Sequence, residues 1–172
     1  MKKSCLAAAL LVLCSCAADP VMLTEKFDAE QAGKQMKTGN NTIEGSALWR
    51  EKNGHVQTCA GYQVNLYPAT KYAEERISLQ YGNTDRGGKS ITKQLVFAPD
   101  EERFHKLSKK TFCDVDGKFL FEDVADGDYF AVTKIVWGDP NDPEDQTEGG
   151  TVMSKVSVKG GKRIKIVLSQ SL

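Results

Sequence analysis

The pattern of apolar and polar positions changes near residue 42. After that point the chain consists of short alternating or β-branched segments separated by Gly, Asn, Asp and Pro, which is typical of an all-β domain. The segments predict seven strands, at residues 42–50, 62–67, 104–113, 118–122, 128–137, 151–158 and 163–168. Strands of this number and length indicate a β-sandwich over residues 42–170.

Alternation along these strands assigns one face of each to the core. The predicted inward positions are Val64, Leu66, Phe119, Phe121, Phe130, Val132, Val136, Val156, Val158, Ile164, Ile166 and Leu168. Segment 129–137 is apolar on both faces, so we expect it to be a central strand. Glycine within 114–117, 125–128 and 159–162 predicts tight turns between strands.

Two stretches interrupt the strand pattern. Residues 69–100 form a long insertion, in which 72–77 could begin a short helix and 81–88 reads as a polar loop. Residues 139–150 are rich in Asp and Pro and predict a second exposed loop. Long insertions in compact domains are often functional or mobile.

The N-terminus has the layout of a signal peptide. Two lysines at positions 2 and 3 precede an apolar run over 5–13, and small residues follow at 15–18. Such a run is too short to cross a bilayer, which takes roughly 20 residues. We therefore expect residues 1–15 to be removed on export.

The sequence around the expected cleavage point resembles the lipobox of bacterial lipoproteins. The residues are Leu13, Cys14, Ser15 and Cys16, and this resemblance implies that Cys16 carries a lipid anchor. In that family an Asp after the lipidated Cys favours the inner membrane, whereas this chain has Ala17. The resemblance thus implies an outer-membrane lipoprotein facing the periplasm or the cell surface.

Residues 16–41 hold few apolar side chains and predict a tether, with or without one short helix. Phe27, Ala32 and Met36 have loosely helical spacing, but two glycines at 33 and 39 weaken a helix. The predicted role of this tether is to hold the folded domain off the bilayer.

The charge balance of the chain excludes nucleic acid as a partner. Without residues 1–15, acidic side chains outnumber basic ones by two, so there is no basic field for nucleic acid.

Two cysteines, Cys59 and Cys113, remain once the signal peptide and the lipidated residue are set aside. In an oxidising compartment they predict a disulfide. Two alternatives are that the thiols stay unpaired or that they bind a metal ion together with His55.

The later turns and strands resemble the carboxypeptidase regulatory-like domain, a transthyretin-like β-sandwich. The matching residues are Ala60-Gly61-x-x-Val64-x-Leu66-x-Pro68 and Thr111-x-x-Asp114-x-Asp116-Gly117-x-Phe119-x-Phe121-x-x-Val124-x-x-Gly127-x-Tyr129. The resemblance covers roughly residues 42–168. It implies an accessory module of the kind found beside enzymes, in transporters and as lone lipoproteins, and so assigns no activity.

Catalytic and metal-binding motifs are missing from the sequence. The two histidines, His55 and His105, lie in no recognisable motif, and His105 falls in a predicted strand. The transthyretin-like hydroxyisourate hydrolase ends in Tyr-Arg-Gly-Ser, which this chain lacks. The acidic loop after Asp139 offers oxygen ligands for calcium, but its spacing favours a solvated loop. We therefore expect no enzymatic activity, no cofactor and no metal ion.

Aromatic residues offer a further candidate surface, at Trp49, Tyr62, Tyr67, Tyr72, Tyr81 and Trp137. If exposed they could bind carbohydrate or peptide; otherwise they are core residues or cross-strand pairs. The function predicted is a non-catalytic binding or structural module of the bacterial envelope, with an unknown envelope protein or glycan as partner. One alternative is a lipoprotein subunit of a type VI-like secretion apparatus; another is a hydrolase.

Overall fold

The computed structural model describes residues 19–138 and 147–170. The predicted signal peptide, Cys16 and most of the predicted loop 139–150 lie outside the described residues. The strands are β1 Val21–Met22, β2 Thr38–Arg50, β3 Val56–Thr58, β4 Gln63–Pro68, β5 Arg86–Ser90, β6 Phe97–Ala98, β7 Lys109–Phe112, β8 Lys118–Val124, β9 Gly127–Trp137, β10 Glu148–Val158 and β11 Arg163–Leu168. The helices are α1 Ala29–Gln35, α2 Lys71–Tyr81 and α3 Glu102–Lys106, with a 3₁₀ turn at Ile91–Lys93.

Two main sheets pack face to face, which confirms the β-sandwich. The larger sheet is antiparallel, in the order β5, β10, β9, β4, β7. In the smaller sheet β2 pairs in parallel with β11 and antiparallel with β8 and β3. The described residues contain more strands than the seven predicted, because short strands β1, β3, β5 and β6 carry too little pattern to be recognised.

The core between the sheets contains most of the predicted inward residues. Val64, Leu66, Phe119, Phe121 and Leu168 are all buried there. Each comes from an alternating strand, so the period of two places every second side chain against the facing sheet. Alternation in the sequence therefore predicts this core well.

Strand β9 is central and buried on both faces, as predicted. Tyr129, Ala131 and Ile135 face the core between the sheets, whereas Phe130 belongs to a second apolar core on the outer face of the larger sheet. The prediction had assigned Phe130, Val132 and Val136 to the core between the sheets, which is wrong: Phe130 and Val132 pack in the second core, and Val136 belongs to neither core. The strand is therefore covered on both sides.

The second core is formed by α2, α3 and the N-terminal segment. Its buried members are Leu23, Tyr72, Ala73, Ile77, Phe97, Phe104, Phe130 and Met153. Helix α2 is delimited at both ends, since the side chain of Thr70 accepts from the N–H of Ala73 and Gly82 ends it in the left-handed conformation at φ 79°. The predicted insertion 69–100 thus supplies a cover for the sheet.

The predicted tether 16–41 is wrong from Val21 onward, because that part of the chain packs on the domain. Leu23 is buried, and Phe27 makes edge contacts with Tyr72 and Phe104 at ring-centroid distances of 5.5 and 5.9 Å. The short helix that the prediction allowed is present as α1, and β2 begins at Thr38 rather than 42. Few apolar residues are needed in this segment, because the side chains that cover them come from distant parts of the chain.

The predicted strand 104–113 is also wrong in its first half. Residues Glu102–Lys106 form α3, and β7 begins only at Lys109. Phe104 is buried and stacks on Tyr67 with ring centroids 4.5 Å apart. A single helical turn buries this one side chain, with Glu102 in its first turn, where acidic residues suit the helix dipole.

A disulfide joins Cys59 to Cys113, as predicted, with their Cα atoms 5.7 Å apart. Cys59 follows β3 in the smaller sheet and Cys113 follows β7 at the edge of the larger one. The bond therefore links the two sheets. The alternatives of unpaired thiols or a metal pair with His55 do not apply.

Candidate functional site

Two tryptophans, one from each of the facing sheets, line the same groove near the ends of their strands. Trp49 lies next to the last residue of β2, and Trp137 is the last residue of β9. Alternation from buried Ala47 and Ile135 places both indoles on the sides of their sheets that face each other. Both are only partly buried and pack against the core, so each keeps some surface open to solvent.

These tryptophans line a groove of about 670 Å³ with a largely polar rim. Its other lining residues are Arg50, Glu51, Lys52, Asn53, Ser90, Thr92, Lys93, Thr147, Glu148, Gly149 and Gln170. Residues 50–53 belong to the end of β2 and the turn that follows it. Ser90, Thr92 and Lys93 come from the end of β5 and the 3₁₀ turn, and the remaining residues come from the start of β10 and the C-terminal segment. Loops from both sheets therefore form the rim.

Two glycines make space for the indoles. A Cβ at Gly88 would lie 2.5 Å from Cβ of Gln170 and 3.3 Å from Cζ3 of Trp49. At Gly149, whose φ is +91°, a Cβ would lie 2.7 Å from Cζ3 of Trp137 and 2.1 Å from the Ile135 carbonyl oxygen. Larger residues at these positions would displace the rings or the strands, so the groove depends on backbone as well as side chains.

Polar side chains of the rim are held by local hydrogen bonds. The Nε2 of Gln170 donates to the Arg50 carbonyl at 2.6 Å, which ties the C-terminal segment to β2. Glu51 accepts from Nδ2 of Asn53 at 3.0 Å and from Nε2 of Gln57 at 2.8 Å. These bonds hold carboxylate and amide groups at the rim of the groove.

The predicted aromatic residues separate into two groups. Tyr72 and Tyr81 belong to the second core; the Tyr81 hydroxyl donates to Thr151 Oγ1 at 2.9 Å, and burial raises the pKa of Tyr81 to about 12. Tyr67 stacks on Phe104, as noted above, and Tyr62 donates to the Val136 carbonyl at 2.8 Å. Of the six aromatic residues proposed from the sequence, the two tryptophans are those that line the groove.

The histidines lie on separate elements. His55 is exposed in the turn between β2 and β3, whereas His105 lies on α3, with its Nε2 2.9 Å from Oδ1 of Asp100. The same carboxylate oxygen is 2.8 Å from Nη1 of Arg76. Partial burial raises the pKa of Asp100, but the His105 hydrogen bond and the Arg76 charge outweigh it and hold that pKa below its usual range.

This arrangement joins α3 to α2, because Arg76 belongs to α2. Its guanidinium also lies over the Phe97 ring, 4.5 Å from the centroid. His105 is therefore placed by a structural network of the second core, and no hydrogen bond joins it to His55. Within residues 19–138 and 147–170 no group of three or more potential metal-ligating side chains occurs.

Comparison with solved structures identifies the fold. No family model matches the sequence, and no curated protein matches it. The chain is similar to the crystal structure of a "putative carbohydrate binding protein" from Pseudomonas aeruginosa, with a TM-score of 0.68 and 24% sequence identity. The two chains share one fold. The match covers 85% of this chain and 99% of the other.

Within the described ranges, no helix has the length and apolar character needed to cross a bilayer. The predicted membrane attachment therefore rests on Cys16, which lies outside the described residues.

Proposed function

We propose that this chain is a non-catalytic envelope lipoprotein that binds carbohydrate in the groove lined by Trp49 and Trp137. The observation that supports this most strongly is the pair of partly exposed indoles, brought from facing sheets to one mouth of the sandwich and surrounded by hydrogen-bonding side chains. Concave sites that combine aromatic walls with a few placed polar groups are typical of small-ligand binding.

The chemistry of a sugar suits such a groove. A pyranose ring presents a face of C–H groups and an edge of hydroxyls. The indole faces can cover the C–H groups, and the amides and charged groups of the rim, such as Asn53, Lys93 and Glu148, can donate to or accept from the hydroxyls. The groove volume of about 670 Å³ lies within the usual range of roughly 300 to 1,000 Å³ for ligand sites.

The structural neighbour, described as a "putative carbohydrate binding protein" and matched over nearly all of its length, supports the same ligand class. The resemblance to carboxypeptidase regulatory-like domains is compatible with this role but stays a prediction. So do the secretion-apparatus alternative and an envelope-protein partner, which crosslinking in intact cells would test by capturing a defined protein.

The proposed address is the outer membrane, through a lipid on Cys16. Metabolic labelling with an alkyne fatty acid should label the wild-type chain and not Cys16→Ala, and membrane fractionation should place the labelled chain with the outer membrane. Equal labelling of both chains, or labelling of neither, would contradict the anchor.

Carbohydrate binding is tested with the exported chain carrying Cys16→Ala, applied to a glycan array. Trp137→Ala should abolish the strongest signals, and Asn53→Ala, which alters an exposed rim residue, should weaken them. Phe112→Ala is the matched control, because Phe112 is 64% exposed but lies outside the groove. Circular dichroism confirms that each variant is folded. No glycan signal, or equal loss in the Phe112 variant, would refute the assignment.

A further inference from the structure

The short parallel sheet of β1 and β6 has an apolar outer face. Val21 pairs with Phe97 and Met22 with Ala98. Val21 and Phe97 turn toward the second core, so alternation directs Met22 and Ala98 outward. Val96 lies two residues before Ala98 and shares that face; Met22 is 67% and Val96 61% exposed.

Extending the register by one residue places exposed Pro20 beside Val96. We call Pro20, Met22, Val96 and Ala98 the outer β1–β6 face. Single exposed apolar residues are ordinary on protein surfaces. Here, however, four lie together on the sheet formed by the first described strand, which begins five residues along the sequence from the residue proposed to carry the lipid.

The chain between the lipid and this face is short. Only five residue steps separate Cys16 from Val21, and a fully extended chain spans at most about 17 Å over that distance. The strand cannot move away freely, because Glu75 accepts from the N–H of Thr24 at 3.0 Å and from the N–H of Glu25 at 2.8 Å. These bonds hold the N-terminal segment against α2.

We propose that the outer β1–β6 face rests on the membrane that carries the Cys16 lipid. This inference depends on the anchor in the proposed function and not on carbohydrate binding. An anchor with this reach keeps Val21 near the bilayer surface, and apolar side chains beside it gain by leaving water. The partner is therefore the lipid surface itself, contacted through Met22 and Val96.

The orientation also affects the tryptophan groove. Lys93 of its rim precedes Val96 by three residues, a Cα separation of at most about 11 Å at 3.8 Å per step. Contact through the outer β1–β6 face thus keeps one side of the groove close to the membrane.

The test attaches the mature chain to vesicles independently of acylation. A hexahistidine tag replaces Cys16, and the vesicles are phosphatidylcholine with a small fraction of nickel-chelating lipid. A nitrobenzoxadiazole label is placed on Val96→Cys; the matched control is Val115→Cys, in the β7–β8 turn, where Val115 is 91% exposed. Cys59 and Cys113 do not react, because they are bonded to each other.

On vesicles the label at position 96 should shift its emission to the blue and be quenched by nitroxide-labelled lipid, whereas the label at 115 should behave as in water. Adding Met22→Ser should reduce the shift at position 96. A water-like label at 96, or quenching at 115 equal to that at 96, would overturn the proposal. Because the tag supplies attachment, a water-like label at position 96 would overturn this inference and leave the anchor intact, whereas failed acylation of Cys16 in cells would overturn both.

Discussion

Loss of the Cys59–Cys113 disulfide should strongly destabilise the domain. The bond spans a sequence separation of 54 residues, and the chain-entropy relation for a closed loop of this size gives about 4 kcal/mol at 25 °C. Native bonds of this type usually contribute roughly 2 to 4 kcal/mol. The link also joins β3 of one sheet to β7 of the other, so its loss should act on the whole sandwich. For a domain of about 150 residues, 4 kcal/mol lowers Tm by roughly 8 to 16 °C.

The assay compares guanidinium unfolding of the oxidised wild type with that of Cys59→Ala/Cys113→Ala. Wild type unfolded with and without reductant is the internal control, because reduced wild type should match the double variant. A thiol titration should find no free thiol after denaturation of an oxidised chain that begins at residue 16 and carries Cys16→Ala, because its remaining cysteines are the bonded pair. A difference in unfolding free energy below about 1 kcal/mol would refute the loop-closure reasoning.

Three further changes test other parts of the structure. Gly149→Ala should destabilise by more than about 1 kcal/mol in urea, because its φ is +91° and the new Cβ would lie 2.1 Å from the Ile135 oxygen; unchanged stability would contradict the packing at the groove. Tyr129→Phe should cost about 1 to 3 kcal/mol in the same assay, since its hydroxyl lies 2.9 and 3.0 Å from two backbone carbonyls. Hydrogen bonds from Thr24 lower the pKa of Glu75, so its stabilising effect is present above the unfolded pKa and is lost as pH falls through the lower folded pKa. Amide exchange at Thr24 should therefore lose protection in acid and, in Glu75→Gln, already at pH 7; equal protection in both chains would contradict the role given to the Glu75 carboxylate in holding the N-terminal segment.

The sequence predicts the strands of the sandwich because their burial has a simple period. Leu66 and Phe121 alternate with polar neighbours, and the two-sided apolar character of β9 correctly indicates a central strand. The cysteine pair was also predictable, since export leaves two thiols for one bond. These features depend on local pattern or on counting.

The second core could not be predicted in the same way. Phe27 packs on Tyr72 and Phe104, residues that lie far along the chain, so its segment reads as a sparse tether. Phe104 lies in a stretch that alternates like a strand, yet the burial of this one ring in a helical turn decides the local structure. Such choices depend on tertiary partners, which override local propensity.

The groove could be predicted from the sequence only in part. Alternation places Trp49 and Trp137 inward at the ends of their strands, and both residues stand out in the sequence as candidates for a binding surface. That the two strand ends meet at the same mouth follows only from the order and direction of the sheets. The space provided by Gly88 is likewise visible only in three dimensions.

The central claim is that carbohydrate binds between Trp49 and Trp137, and intrinsic fluorescence tests it most directly. The chain contains two tryptophans, and both line the groove, so a change in tryptophan emission reports on this site. Titration of the folded, unlipidated chain with the saccharides selected on the array should give a saturable change in intensity or wavelength, reduced in Trp137→Ala. Saccharides that bind without altering tryptophan emission would contradict the account and place the carbohydrate site elsewhere.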